Sequence, residues 1–145
     1  PYRRPRKTVP HHNQSAGIVW RGDRLLIVRR PSHGLLGGLW ELPGAMLDAD
    51  EEAGASCVRG IREATGVEAT IRKRLGELDH AYSHFRITLH LFHCEAGPGR
   101  LRARGTEDLR FVPLDHLQRY PFPRANRKAL NALEALGGPP DALRS

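Results

Sequence analysis

Apolar positions fall along this chain in short blocks whose spacing changes from strand-like to helix-like and back. Ala16-Gly17-Ile18-Val19-Trp20 predicts a strand, Arg21-Gly22-Asp23 a turn, and Leu25-Leu26-Ile27-Val28 the returning strand of a hairpin. Residues 31–38 hold one Pro and three Gly and form a loop. Leu39-Trp40-Glu41-Leu42 is a short strand stopped by Pro43-Gly44. Over residues 50–65 the period lengthens: Ala53, Cys57, Val58, Ile61 and Ala64 share one face of a helix that Gly66 closes. A strand follows over residues 67–78. Phe85, Ile87, Leu89 and Leu91 then alternate with Arg86, Thr88 and His90, as in a half-buried strand. Residues 109–112 predict another strand. Residues 124–136 predict a helix with Ala129, Leu130, Leu133 and Leu136 as its apolar stripe. Strands of mixed order around one central and one terminal helix argue for an α+β fold.

Composition narrows the class. The 145 residues suit one domain, with residues 1–14 as a basic linker, 15–137 as the folded unit and 138–145 as a loose tail. Apolar residues at 39% and charged residues at 27% fit a folded chain rather than a disordered one. No run of 18 apolar residues spans a membrane. The start, Pro1-Tyr2-Arg3-Arg4-Pro5, carries neither a signal core nor a Met, which suggests a trimmed start or, the favoured reading, a piece of a longer chain; with an Arg-rich composition and few cysteines it points to a reducing interior. The net charge is +7, and Arg3, Arg4, Arg6 and Lys7 supply +4 of it. Such a tail attracts phosphate without reading sequence, and a plain solvated linker has the same composition. Cys57 and Cys94 form no Cys-x-x-Cys pair and are too few to ligate an iron–sulfur cluster; two buried thiols are the plain reading.

Two stretches carry chemistry. Residues 43–67 read Pro43-Gly44-Ala45, then Glu51, then Arg59-Gly60-Ile61-Arg62-Glu63-Ala64-Thr65-Gly66-Val67. This resembles the Nudix box, G-x5-E-x7-R-E-U-x-E-E-x-G-U with U apolar. Glu51, Arg59, Glu63, Gly66 and Val67 match the pattern, while Ala45 replaces a Gly and Gly60 and Ala64 replace two of three helix Glu. In that family the helix carboxylates hold Mg²⁺ on a diphosphate. Hard divalent ions need several oxygen ligands, so Glu63 alone serves poorly, and Glu52 lies about three turns away along the helix. The resemblance thus implies a Nudix-like α/β/α sandwich with a mixed central sheet, no metal or other cofactor, and no hydrolysis by the domain itself.

The second stretch is Gly34-Leu35-Leu36-Gly37-Gly38-Leu39-Trp40-Glu41-Leu42-Pro43-Gly44, followed later by His80-Ala81-Tyr82-Ser83-His84-Phe85. Both resemble the C-terminal domain of MutY-type adenine DNA glycosylases, the first nearly unbroken and the second an F-S-H segment with Tyr82 in place of Phe. The resemblance implies a recognition module in base-excision repair. It would partner an N-terminal catalytic glycosylase domain, which would carry the iron–sulfur cluster, and duplex DNA holding 8-oxoguanine opposite adenine. It would lie in the cytoplasm at the nucleoid, with no membrane partner. Tyr82, Ser83 and His84 would read the lesion, and Arg3, Arg4, Arg6, Lys7 and Arg86 would contact phosphates. From the residues alone, Tyr82 offers a flat amphipathic ring and Ser83 a hydroxyl that donates and accepts. The plainer reading makes Tyr82 a rim aromatic and Ser83 a turn residue bonding its own backbone. Two rival functions stay open: a small Nudix pyrophosphohydrolase acting on nucleotide derivatives, and a protein-interaction module. His80 and His84 at i, i+4 spacing suggest zinc only on a helix, and the intervening Tyr82-Ser83 loop argues against it; His90 and His93 face opposite sides of a strand.

Overall fold

A computed structural model describes residues 9–33, 36–104 and 106–135. Six strands form one mixed sheet: β1 (His11–Arg21), β2 (Arg24–Arg29), β3 (Trp40–Glu41), β4 (Ala69–Ala81), β5 (Arg86–Ala96) and β6 (Asp108–Pro113). Helices α1 (Ala53–Thr65) and α2 (Arg124–Ala135) complete it, with a 3₁₀ turn at Leu114–Arg119. The strand order is β3-β2-β1-β5-β4, and β6 pairs with β2. Among the described residues only β1 and β5 run parallel, in register from His11 opposite Arg86 to Trp20 opposite Glu95. The α+β class read from the residues and the α/β/α sandwich implied by the resemblance are the fold that forms.

Each face of the sheet has its own core. Ile18, Trp20, Leu25, Ile27, Leu89 and Val112 pack with Ala129, Leu130 and Leu133 of α2 on one side. Val19, Leu26, Phe92 and Cys94 pack with Cys57 and Ile61 of α1 on the other. Sandwiching between two helices explains why β1 is buried on consecutive residues from Ser15 to Trp20. It also explains why β5 is more buried than a simple alternation predicts: Thr88 is 5% exposed and His93 3%. Glu52 caps α1 by accepting from the Gly54 N–H, and Gly66 ends it at φ 76° with its N–H on the Arg62 carbonyl.

The boundaries move most in two places, and by up to three residues at β4 and α1. Residues 11–14, expected in the linker, belong to β1, because β5 supplies a parallel partner for a polar segment that has no apolar pattern of its own. β5 continues to Ala96, well past Leu91. The hairpin at residues 20–25 forms as expected, with Gly22 at φ 61° in its turn.

β1 and β2 pair only at Trp20–Leu25 and Arg21–Arg24, then separate. The segment after β3 fills the gap. Gly17 N–H donates to Pro43 O at 2.7 Å, Ser15 N–H to Ala45 O at 2.9 Å, and Leu47 N–H to Asn13 O at 3.0 Å. Residues 43–47 therefore act as an irregular neighbour of β1.

His93 is buried and its Nδ1 accepts from the Trp20 indole N–H at 3.2 Å. Burial first, and then Lys73, push its pKa below the ordinary value of 6.5. The folded state thus binds fewer protons than the unfolded one, so stability rises with pH. Unfolding stability should fall as pH drops below about 6.5 and level off below the folded-state pKa. Denaturant melts at pH 7.5 and 5.5 should show part of this loss disappearing in His93→Gln, and an identical loss in the variant would remove His93 as its source.

Candidate functional site

A cleft of about 400 Å³ opens where the sheet face beneath α2 meets the 43–46 segment. Its aromatic wall is the Tyr82–Phe85 turn. The Tyr82 N–H donates to Phe85 O at 2.8 Å, and the two rings stack with centroids 4.7 Å apart. The Tyr82 hydroxyl accepts from the Ala125 N–H at 3.0 Å, which ties the ring to the start of α2. His80 meets the same ring edge-on at 4.4 Å. The ring is therefore both a strut and a cleft surface.

Polar groups stand among these apolar walls. Glu41 Oε2 accepts from Arg30 Nη1 at 2.9 Å, and Gln14 also hydrogen-bonds this carboxylate. Burial pushes the Glu41 pKa up from its ordinary value, with Arg30 opposing the shift. Asn126 is 5% exposed and its Oδ1 accepts from the Leu42 N–H at 2.9 Å, which leaves its NH₂ as the end able to donate to a ligand. Gln14, Arg30, Glu41 and Asn126 all line the cleft, as do His12 and Met46. A second open concavity shares His12 and Met46 and continues past Asp48 to Glu51.

The box residues lie on α1 and its approach. Glu51 grips Arg59 with both oxygens, at 2.8 Å to Nε and 2.8 Å to Nη2. Arg59 Nη1 reaches Glu63 Oε2 at 3.1 Å. The Arg59 guanidinium is the largest cause holding the Glu51 pKa below its ordinary value. Gly60 is buried against the backbone of residue 44: a Cβ at 60 would stand 2.4 Å from both C and O of Gly44. Gly44 in turn lies so close to β1 that its own Cβ would meet Ser15 O at 1.9 Å. Ser15 Oγ bonds the main chain of Ala45 and stands 3.1 Å from Ser56 Oγ. The position where the box pattern carries a Glu is thus a point of close helix-to-loop approach that leaves no room for a side chain. Among the described residues, no group of three or more His, Cys, Asp or Glu side chains stands close enough to hold a metal ion. The residues present do not fit the carboxylate cluster that the fold family implies.

Of the three loop residues singled out in the sequence, only Tyr82 enters the cleft. Ser83 and His84 are exposed at the turn and do not line it. Arg86 is exposed at the start of β5, and Arg3, Arg4, Arg6 and Lys7 lie outside the described residues. The histidines are dispersed: His80 Nδ1 faces Lys128 Nζ at 2.7 Å, His90 bonds Asn13, and His93 bonds Trp20. Sequence reasoning missed Gln14, Arg30, Glu41, Phe85 and Asn126 as cleft residues. Glu41 alone left a signal, a single acid between the apolar Trp40 and Leu42.

A family model described as "NUDIX domain" matches residues 15–132. The chain belongs to the NUDIX family. CTP pyrophosphohydrolase of Escherichia coli is 31% identical over 121 residues, 83% of this chain and 90% of the relative. A MutT NUDIX hydrolase from Burkholderia pseudomallei has the same fold, with TM-score 0.75 and 25% identity over 83% of this chain and 96% of that one. Human adenine DNA glycosylase is 31% identical over 97 residues, which is 62% of this chain and only 18% of the glycosylase.

These matches overturn the glycosylase reading. Near end-to-end coverage by a NUDIX hydrolase replaces the recognition module, its DNA and glycosylase-domain partners, its repair role and its non-enzyme status. Nucleoid association and the implied iron–sulfur cluster rested on that reading and are left without support from these matches. The geometry explains the error. In the stretch Leu39–Gly44, Trp40 and Leu42 are core residues, and Pro43 and Gly44 fill the β1 edge. That motif reports a scaffold requirement of the fold more than a particular ligand.

The Gly60 contact makes a testable point. Overpacking costs about 1–3 kcal/mol, and the helix preference of Ala over Gly returns about 1. Because the clash is with backbone atoms, the cost falls at the upper end of that range, so Gly60→Ala should lose about 2 kcal/mol net and lower Tm by about 4–8 °C. An unchanged Tm in a thermal melt would mean that the 43–45 loop simply yields.

Proposed function

We propose that this chain is a small NUDIX pyrophosphohydrolase acting on a nucleoside triphosphate or a related nucleotide derivative. The observation that carries the reading is the cleft itself: a stacked aromatic wall beside a hydrogen-bonding group of Gln14, Arg30, Glu41 and Asn126. An aromatic face suits any nucleobase, and the polar groups suit its edge. The end-to-end similarity to a CTP pyrophosphohydrolase supports the same reading.

In this reading the base lies against Tyr82 and Phe85. Arg30 donates to a base carbonyl or ring nitrogen, Glu41 accepts from an exocyclic amine, and the Asn126 NH₂ donates to a second acceptor. Phosphates run out past His12 and Met46. Hydrolysis adds water across the anhydride between the α- and β-phosphates: a water oxygen bonds phosphorus and gives up its proton to solvent, the bridging P–O bond breaks, and the leaving half, pyrophosphate or nucleoside monophosphate, carries off the electron pair. The substrate is the magnesium salt of the nucleotide, and no resident metal site is assigned to the chain. A nucleotide of this kind is met in the cytoplasm, and no helix among the described residues is long and apolar enough to cross a membrane.

Purified chain should be assayed against a panel including CTP, dCTP and 8-oxo-dGTP, following release of inorganic pyrophosphate and nucleoside monophosphate. At least one nucleotide should turn over above a protein-free blank. No turnover across the panel would overturn the reading.

The cleft variants separate its parts. Loss of base stacking is worth roughly 1–3 kcal/mol, so Tyr82→Ala should raise KM by about fivefold or more while changing kcat less. Glu41→Gln should change the ranking of bases more than the rate on the best one. A Tyr82→Ala variant with unaltered KM would move the base out of this cleft.

A further inference from the structure

A third concavity, sharing no residue with the cleft, lies at the far end of α1. It is open, about 370 Å³, and lined by Arg62, Gly66, Arg100, Arg102 and Arg104. Arg62 comes from the last turn of α1, and the other three arginines alternate along the connection from β5 to β6. We propose that these four guanidinium groups form a binding site for a condensed phosphate, a short linear chain of phosphoryl groups.

Three observations support this assignment. The first is charge without counter-charge. Arg30, Arg59, Arg72, Arg74 and Arg110 each pair with an acid elsewhere in the molecule. Among the described residues none of the four pocket arginines has an acidic partner, and no Asp or Glu lines the pocket. Like charges gathered this way repel one another until an anion enters.

The second is a fixed backbone. Arg102 N–H donates to Thr65 O at 2.8 Å and Arg104 N–H to Ala64 O at 3.2 Å. These bonds use carbonyls at the end of α1, so the connection is pinned to the helix and the arginine stems start from set positions. The third is the floor. Gly66 has φ 76°, and a Cβ there would sit 3.4 Å from Arg100 O and 3.5 Å from the Arg102 Cβ. Its missing side chain leaves the space between the stems open.

The chemistry selects the ligand. A guanidinium offers paired N–H donors that match phosphate oxygens. A pocket lined by four of them and a glycine, with no apolar side chain, suits several linked phosphoryl groups better than a carboxylate or a lone base. Two sources supply that group: free inorganic pyrophosphate or tripolyphosphate, and the phosphate tail of a nucleoside triphosphate. Gly60, which touches the cleft wall, is about 9 Å of helix rise from Gly66, so the two sites can fill independently.

The test is an amide-resolved NMR titration of the whole chain with sodium tripolyphosphate, and in parallel with a nucleoside triphosphate. Tripolyphosphate should shift the amides of Gly66, Arg102 and Arg104 saturably, and affinity should fall by about tenfold between roughly 50 and 200 mM salt. Arg102→Ser with Arg104→Ser should weaken it by about tenfold or more, and the double Lys variant should recover part of the loss. Shifts of the same amides by the nucleotide would identify its tail as a source; shifts by tripolyphosphate alone would identify the inorganic chain. Amide shifts matched by sodium chloride at equal ionic strength, or binding unchanged in a double Ser variant of normal Tm, would overturn the site. Nucleotide turnover in the cleft should be unaffected by the double Ser variant, so failure here leaves the cleft reading standing.

Discussion

The contact on which the rest of the molecule depends is the three-layer approach of β1, the 43–45 segment and α1. β1 and β2 part after two residue pairs, and the backbone at Gly17 and Ser15 needs new partners there. Pro43 and Ala45 supply carbonyls for that edge. They can do so only because Gly44 has no side chain to strike Ser15, and α1 can cover them only because Gly60 has none to strike Gly44. The buried hydroxyls of Ser15 and Ser56 close the arrangement with hydrogen bonds to each other and to Ala45. A close-packed junction of this kind is intolerant of added atoms.

Much follows from where this junction sits. It sets the height of α1 above the sheet and so the position of Arg59, which gathers Glu51 and Glu63 onto one guanidinium. It also carries the chain from β3 into the cleft wall, so that Glu41, Gly44, Ala45 and Met46 face the same space as the Tyr82–Phe85 turn. The cost of a buried carboxylate at Glu41 is offset by Arg30 and Gln14, which leaves a polar centre in an otherwise apolar wall. Binding groups and fold-forming groups are thus neighbours along a few residues of chain, which is how a motif of the scaffold came to look like a motif for one particular ligand.

The sequence by itself determined the order and type of nearly every element. Apolar runs marked β1 and β2, the 3.6-residue stripes marked α1 and α2, and Gly66 marked the end of α1, because local periodicity and backbone freedom are properties of neighbouring residues. The box skeleton was equally legible and named the fold. Tertiary structure decided what neighbouring residues cannot express. His11 to Gln14 became strand because β5 lies beside them, and β5 buried both faces because a helix covers each. Gln14, Arg30, Glu41, Tyr82 and Asn126 come from five separate stretches of chain and meet only when the sheet folds beneath α2. Ser83 and His84 sit beside Tyr82 in sequence yet stay outside the cleft, since a tight turn sends adjacent side chains in different directions. Spacing along the chain specifies elements; convergence of distant side chains on one cavity depends on how those elements pack.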